Sequence, residues 1–336
     1  MSILPEFETV EMHTGGEPVR IILKGYPDIP GTTILEKRRY AKEHLDHFRQ
    51  FLMYEPRGHY DMYGVIPVSP SHPDAHLAVL FIHNEGYSTM CGHATIALGR
   101  FAVDQGIVPP SEPYTDVNIE CPCGLVQVRV EVKEGRAGNA SFLSVPAFSF
   151  ANDLSLTLSE YGEIRFDIGY GGAFYALADA GQFGLDIRNS RTRDLVDAAT
   201  ALTERIKSDI ALSHPDDPDL AFLYGTILTD GSDSYGLEPT ANICVFANAQ
   251  VDRSPTGSGV TARMAVQYSK DLVRIGQERR FESVTGALFT AAVNNETSCG
   301  DYPAVRVLVS GKSFYSGSCH FIHETDDTVG AGFLLR

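Results

Sequence analysis

The chain has 336 residues, 43% of them hydrophobic and 21% charged, with a formal net charge of −16. That length exceeds the usual size of one core, so two domains are the default for an otherwise ordinary globular composition. The acidic balance excludes the clustered Lys and Arg of a nucleic-acid or anionic-membrane partner, and no apolar run reaches the roughly 18 residues of a membrane-spanning helix. Met1-Ser2-Ile3-Leu4-Pro5-Glu6-Phe7-Glu8 lacks the basic and apolar segments of a secretory signal, so a cytoplasmic location is expected.

Val19–Leu23 reads as a strand, β-branched and bounded by turn formers. Thr33 to Tyr54 follows with helix-compatible spacing, and its Lys37-Arg38-Arg39 run is expected on a solvated helix face, as is Arg279-Arg280 later on. His76–Ile82 and Leu125–Val132 are further strands, and Ala94–Ala102 between them is helix-compatible. Six cysteines are too few and too scattered for a disulfide scaffold. Cys121-Pro122-Cys123 has an uncommon ligand spacing and no second pair, so half-buried strand cysteines are expected there. Cys319-His320 with His323, and His72 with His76, are equally poor as ligand sets; no metal is expected. A seam is expected near Pro146-Ala147-Phe148-Ser149. Beyond it come a helix over Thr192 to Leu212, a strand over Ala241–Ala247, a helix over Val260–Val266 and a strand over Ala304–Ser310.

Two segments look like copies of one device. Ser88-Thr89-Met90-Cys91-Gly92-His93-Ala94-Thr95-Ile96-Ala97 aligns with Arg253-Ser254-Pro255-Thr256-Gly257-Ser258-Gly259-Val260-Thr261-Ala262, matching at Gly92/Gly257 and Ala97/Ala262, with Cys91 opposite Thr256. The offset of 165 residues is close to half the chain, and Thr14-Gly15-Gly16 and Tyr170-Gly171-Gly172 open the two halves alike. So long a period indicates two similar domains rather than a solenoid. A small residue followed by Gly at a helix start exposes backbone N–H groups that, with the helix dipole, bind a carboxylate or a developing oxyanion. The same potential favours a thiolate at Cys91. Two such turns are expected to serve one small ligand.

Met90-Cys91-Gly92-His93-Ala94 and Asp252-Arg253-Ser254-Pro255-Thr256-Gly257-Ser258-Gly259 resemble the two signature motifs of the proline racemase family, which also holds hydroxyproline 2-epimerases and trans-3-hydroxy-L-proline dehydratases. Met12-His13-Thr14-Gly15-Gly16-Glu17-Pro18 and Gly330-Ala331-Gly332-Phe333 extend the resemblance over nearly the whole chain. It implies an α/β (α+β) fold like that of diaminopimelate epimerase, in which two pseudo-symmetric domains each wrap a curved, mostly antiparallel sheet around a central helix. The implied domains are residues 1–148 plus 318–336, carrying Cys91, and 149–317, carrying Thr256. Racemases and epimerases of the family carry cysteine at both centres, so a Cys/Thr pair resembles the dehydratase branch. The implied catalytic residues are Cys91, as general base, and Thr256. Gly92, His93, Gly257 and Ser258 would bind the carboxylate and ring nitrogen, and Asp252 would pair with the cationic nitrogen. Either Cys91 or His93 could supply the proton for the leaving group. No cofactor is implied, and a homodimer is. The alternatives are a proline racemase or 4-hydroxyproline 2-epimerase, a non-catalytic binder of cyclic amino acids, and a redox or nucleophilic thiol.

Overall fold

The β-branched runs become strands wherever alternate side chains find a helix to cover them. The computed structural model describes residues 6–335. They divide into two units: residues up to Ala140 together with those from Lys312 onward, and Ser141–Gly311.

The first unit contains β1 (Phe7–Thr14), β2 (Glu17–Lys24), α1 (Ile34–His44), α2 (Asp46–Met53), β3 (Gly64–Val68), β4 (Leu77–Ile82), β5 (Tyr87–Ser88), α3 (Gly92–Asp104), β6 (Tyr114–Cys121) and β7 (Gly124–Lys133). The closing strand Ser313–Phe321 pairs antiparallel with β1, and β1 with β2. β2 and β3 are parallel, β3 and β4 antiparallel, β4 and β6 parallel, β6 and β7 antiparallel. β5 is a short antiparallel addition to β4 that leads into α3.

All six residues of β4 are buried, because both faces of the sheet are covered. Ala78, Leu80 and Ile82 join Phe48, Phe51 and Leu52 of α2 in a core on one face. On the other lies α3, of whose thirteen residues eleven are buried, the pattern of a helix enclosed on every side.

The helical run expected from Thr33 to Tyr54 is two helices. Thr33 and Glu36 form a capping box at the start of α1, and the backbone breaks at Leu45 (φ −121°, ψ 10°) before Asp46 opens α2. Nor is Lys37-Arg38 a solvated face. Both side chains are buried, Lys37 donating to the Ser69 carbonyl at 2.5 Å and Arg38 to that of Tyr87 at 2.6 Å. An amphipathic pattern on a short helix cannot say which carbonyls lie within reach of a long cation.

β8 (Arg136–Leu143) carries the chain into the second unit, which comprises β9 (Phe148–Leu158), β10 (Gly162–Tyr170), β11 (Phe174–Asp179), α4 (Thr192–Asp209), β12 (Leu223–Thr229), β13 (Thr240–Phe246), β14 (Gln250–Asp252), α5 (Gly257–Ser269), β15 (Glu278–Glu282), β16 (Leu288–Cys299) and β17 (Tyr302–Gly311). Its pairings repeat those of the first unit in order. β9–β10 and β10–β11 are antiparallel, β11–β12 parallel, β12–β13 and β13–β14 antiparallel, β13–β15 parallel, β15–β16 antiparallel. α5 is enclosed as α3 is, with Gly257 to Gln267 buried throughout. Arg279, expected to be solvated, is instead 2% exposed on β15 and donates to the Asp233 and Ser232 carbonyls and to the Gln267 side chain.

A Cβ at Gly171, in the β10–β11 turn, would lie 2.2 Å from the Ser258 carbonyl oxygen and 2.6 Å from the Ala262 nitrogen, both α5 backbone. Gly171→Ala is therefore expected to cost roughly 1–3 kcal/mol, read by chemical denaturation. His83 is buried beside Arg49 and Arg38, and its pKa is lowered to about 3 by burial first and the two guanidinium groups second. A group depressed in the folded state binds fewer protons there than in the unfolded chain, so its contribution is complete above about pH 6.5. Stability should fall as pH drops from there toward about 3, and His83→Gln should flatten the slope of denaturation midpoint against pH in that window.

Candidate active site

Cys91 is the N-cap of α3, in extended conformation (φ −146°, ψ 111°), with Sγ accepting from the Ala94 N–H at 3.4 Å. The next two residues, Gly92 and His93, form the first turn, where the helical ladder offers no carbonyl to the backbone N–H groups. The His93 ring folds back so that Nδ1 lies 3.1 Å from Cys91 Sγ, while Nε2 lies 3.3 Å from the Pro18 carbonyl oxygen. A carbonyl only accepts, so Nε2 is the donor in that contact and Nδ1 is the ring nitrogen left facing the thiol. Thr14 donates to the His93 carbonyl at 2.9 Å, and the Tyr63 ring packs edge-on against the imidazole at 4.9 Å. The Met12–Pro18 motif thus reaches the site through Thr14 and Pro18. Cys91 is 5% exposed and His93 2%.

The β6–β7 hairpin lies against the same segment, with the Cys123 N–H donating to the Thr89 carbonyl at 3.1 Å. Burial raises the Cys121 thiol well above its ordinary range, with Cys123 and Cys91 adding to the effect. Burial likewise raises Cys123 to about 12. Both stay protonated at neutral pH and lack the thiolate needed for nucleophilic chemistry.

Thr256 is the N-cap of α5 but has a different backbone, with φ 67° and ψ 88° and no side-chain capping bond. For a β-branched residue this left-handed conformation is strained. Its hydroxyl oxygen is buried with no hydrogen-bond partner. The turn is held from several sides. The Thr256 N–H donates to Ser254 Oγ at 3.1 Å, and the Ser254 N–H to Asp252 Oδ1 at 2.7 Å. Asn242 Nδ2 donates to the Pro255 carbonyl at 3.2 Å, and Arg263 donates to Asn242 Oδ1 at 3.1 Å and to Asp233 at 2.9 Å. Gly257 opens the helix, and Ser258 Oγ is 2.7 Å from the Tyr175 hydroxyl. Six of the seven expected site residues therefore lie on two helix starts, Cys91, Gly92 and His93 on one and Thr256, Gly257 and Ser258 on the other, while Asp252 ends β14 and reaches the second through the Ser254 N–H. Sequence reasoning missed Tyr63, Tyr175 and the Arg263–Asn242 brace. No local pattern marks them, because each reaches its turn from a distant part of the chain or from inside a helix.

Among the described residues, the His/Cys/Asp/Glu grouping close enough to hold a metal is His214, Asp216 and Cys299, outside both turns. Cys121-Pro122-Cys123, His72 with His76, and Cys319 with His320 and His323 do not form one.

The family described as Proline racemase matches residues 9–334. A Xenopus tropicalis protein named trans-L-3-hydroxyproline dehydratase is 57% identical over 334 residues, 99% of this chain and 96% of its own. A Homo sapiens protein named trans-3-hydroxy-L-proline dehydratase is 57% identical over 337 residues, 99% of this chain and 95% of its own. A Burkholderia cenocepacia protein of that name is 40% identical over 336 residues, covering 100% of both chains. Among solved structures, a hydroxyproline epimerase from Agrobacterium vitis, with trans-4-hydroxy-L-proline bound, superposes with a TM-score of 0.94 at 27% identity, covering 100% of this chain and 96% of that one. The duplicated topology, the motifs at both helix starts and a match running almost end to end lead to one conclusion: this chain belongs to the proline racemase family.

Proposed function

We propose that the protein is a trans-3-hydroxy-L-proline dehydratase, a hydro-lyase in which Cys91 is the general base. The observation that carries this reading is the inequality of two otherwise duplicate helix starts. One bears a thiol 3.1 Å from an imidazole nitrogen, and the other bears the hydroxyl of Thr256. An alcohol is a weaker acid than a thiol by roughly five or more pK units, against about 8.5 for the thiol. General acid catalysis works best with a group whose pKa lies near the operating pH. Proton exchange at both faces of an α-carbon is therefore disfavoured, whereas chemistry at one face is not.

The substrate suits a single face. In trans-3-hydroxy-L-proline the hydroxyl and the carboxylate lie on opposite ring faces, so the α-hydrogen shares a face with the hydroxyl. His93 Nδ1 takes the thiol proton, and the thiolate removes the α-proton. The Cα–H electron pair becomes the Cα–Cβ double bond as the C3–O bond breaks, and the hydroxide leaves as water on taking a proton from the Cys91–His93 pair. The product, Δ2-pyrroline-2-carboxylate, tautomerises to the Δ1 imine.

Removal of a proton next to a carboxylate builds further negative charge. The N–H groups and dipole at the start of α3, beside Cys91, offset it. Gly92, His93, Gly257 and Ser258 bind the carboxylate and the ring nitrogen, and Asp252 pairs with the cationic nitrogen. Thr256, whose hydroxyl has no protein partner, offers that group to substrate or water. A homodimer in the cytoplasm, with no nucleic-acid or membrane partner, completes the reading; the net charge of −16 supports the lack of a polyanion partner.

Purified protein given trans-3-hydroxy-L-proline, trans-4-hydroxy-L-proline and L-proline should release an imine, trapped with o-aminobenzaldehyde, from the first alone. Cys91→Ser should lower that rate by roughly a hundredfold to ten-thousandfold. Inversion of the second or third substrate without imine would instead mean an epimerase or racemase, and binding without turnover a non-catalytic binder. Thr256→Cys restores a thiol at the second helix start and removes β-branching from a left-handed position. It should confer α-proton exchange with inversion on trans-4-hydroxy-L-proline, followed by NMR in deuterium oxide; continued silence of the α-proton signal would argue against Thr256 as the second catalytic position.

A further inference from the structure

We propose that His214, Asp216 and Cys299 form a site for a divalent cation of zinc-like chemistry, which joins the loop after α4 to the β16–β17 hairpin. One ligand atom from each residue lies within 4.8 Å of the others. The residues come from two segments, His214-Pro215-Asp216 and the turn after Cys299, and the turn is fitted to the loop. Gly300 has φ +55°, and a Cβ there would lie 2.6 Å from Pro215 Cβ, so a glycine lets the segments touch. Tyr302, which ends the hairpin turn opposite Cys299, stacks on Phe148 at 4.5 Å. The His214 ring is set by Tyr170 at 4.5 Å and by Phe148 at 6.0 Å.

The hydrogen bonding of His214 is incomplete in a way a cation would correct. The Asp216 N–H donates to Nδ1 at 3.2 Å, which leaves the ring proton on Nε2, and Nε2 is buried with no partner. An orphaned buried polar atom is costly. A cation taken at Nε2 replaces the unsatisfied proton, which passes to solvent, and leaves the Asp216 N–H on Nδ1. Cys299 is 6% exposed, whereas Asp216 faces solvent. The site thus has a dry sulfur side and an open oxygen side where water can take a fourth position. Sulfur, nitrogen and carboxylate oxygen together suit zinc, whose bonds of about 2.0–2.3 Å place tetrahedral ligands roughly 3.3–3.8 Å apart. With every ligand atom within 4.8 Å of the others, an adjustment of at most about 1.5 Å brings them to that spacing.

This inference does not depend on the catalytic reading, and its test reads the metal. Full-length reduced protein, stripped with chelator, is titrated with Co²⁺ as an optical probe and with Zn²⁺ in a thermal-shift assay. One equivalent of Co²⁺ should give thiolate-to-metal charge-transfer absorption, and Zn²⁺ should raise the melting temperature. Both effects should disappear in Cys299→Ser and persist in Cys91→Ser. Asp216→Asn, an exposed change that leaves the fold alone, should weaken Co²⁺ binding roughly tenfold or more. Absence of the charge-transfer band, its retention in Cys299→Ser, or unchanged affinity in Asp216→Asn would overturn the site.

Discussion

Enclosure of α3 and α5 is the constraint on which the rest of the structure depends. Each helix is buried on nearly every side, so each needs strands around it, and the strands in turn use the helix as the core of their unit. A helix placed in this way has its flanks covered, and the polar side chains within α5, such as Arg263, are met by buried partners. The four N–H groups of the first turn cannot be satisfied by the helix itself. Burial of the flanks therefore yields, at the N-terminus, a set of aligned donors in surroundings of low polarity, where they act most strongly on a developing anion.

The two helix starts show how one topology can hold unlike chemistry. Cys91 keeps extended geometry and caps its own helix through sulfur, so that its thiol sits among N–H donors and beside His93. Thr256 occupies the matching position with a left-handed backbone and no cap, and its buried hydroxyl has no hydrogen-bond partner. Strain of that kind persists only when the surroundings over-determine it. Asn242, Ser254 and Asp252 grip the turn, and Arg263 holds Asn242 from within α5.

Buried cations are the other recurring device in a chain that carries a net charge of −16. Arg49 donates to the His83 and Asn84 carbonyls while pairing with Asp46. Arg263 and Arg279 share Asp233 and Asp233's carbonyl beneath the second helix start. The Asp233 carboxyl is held below its usual range by Arg263 and its hydrogen-bond donors, against the opposing effect of burial. Such groups cost a great deal to bury unpaired, so each is met by several acceptors. Their task is to join segments that the sheet ladder leaves unconnected.

The duplication was legible in the sequence because its markers are local. Gly follows both Cys91 and Thr256, and Gly-Gly pairs mark the opening turns at Gly15-Gly16 and Gly171-Gly172. Strand periodicity and the Cys/Thr inequality were readable for the same reason, since each depends on neighbours a few residues apart. What depends on distant partners was not: that Lys37, Arg38 and Arg279 lie inside rather than on a solvated face, that the Pro18 carbonyl selects the proton-bearing nitrogen of His93, that Arg263 braces the turn before Thr256 through Asn242, and that Cys299 comes beside His214 and Asp216. A long polar side chain is compatible with solvent or with a buried carbonyl at nearly equal local energy. Only the packed fold, by placing that carbonyl within reach, decides between them.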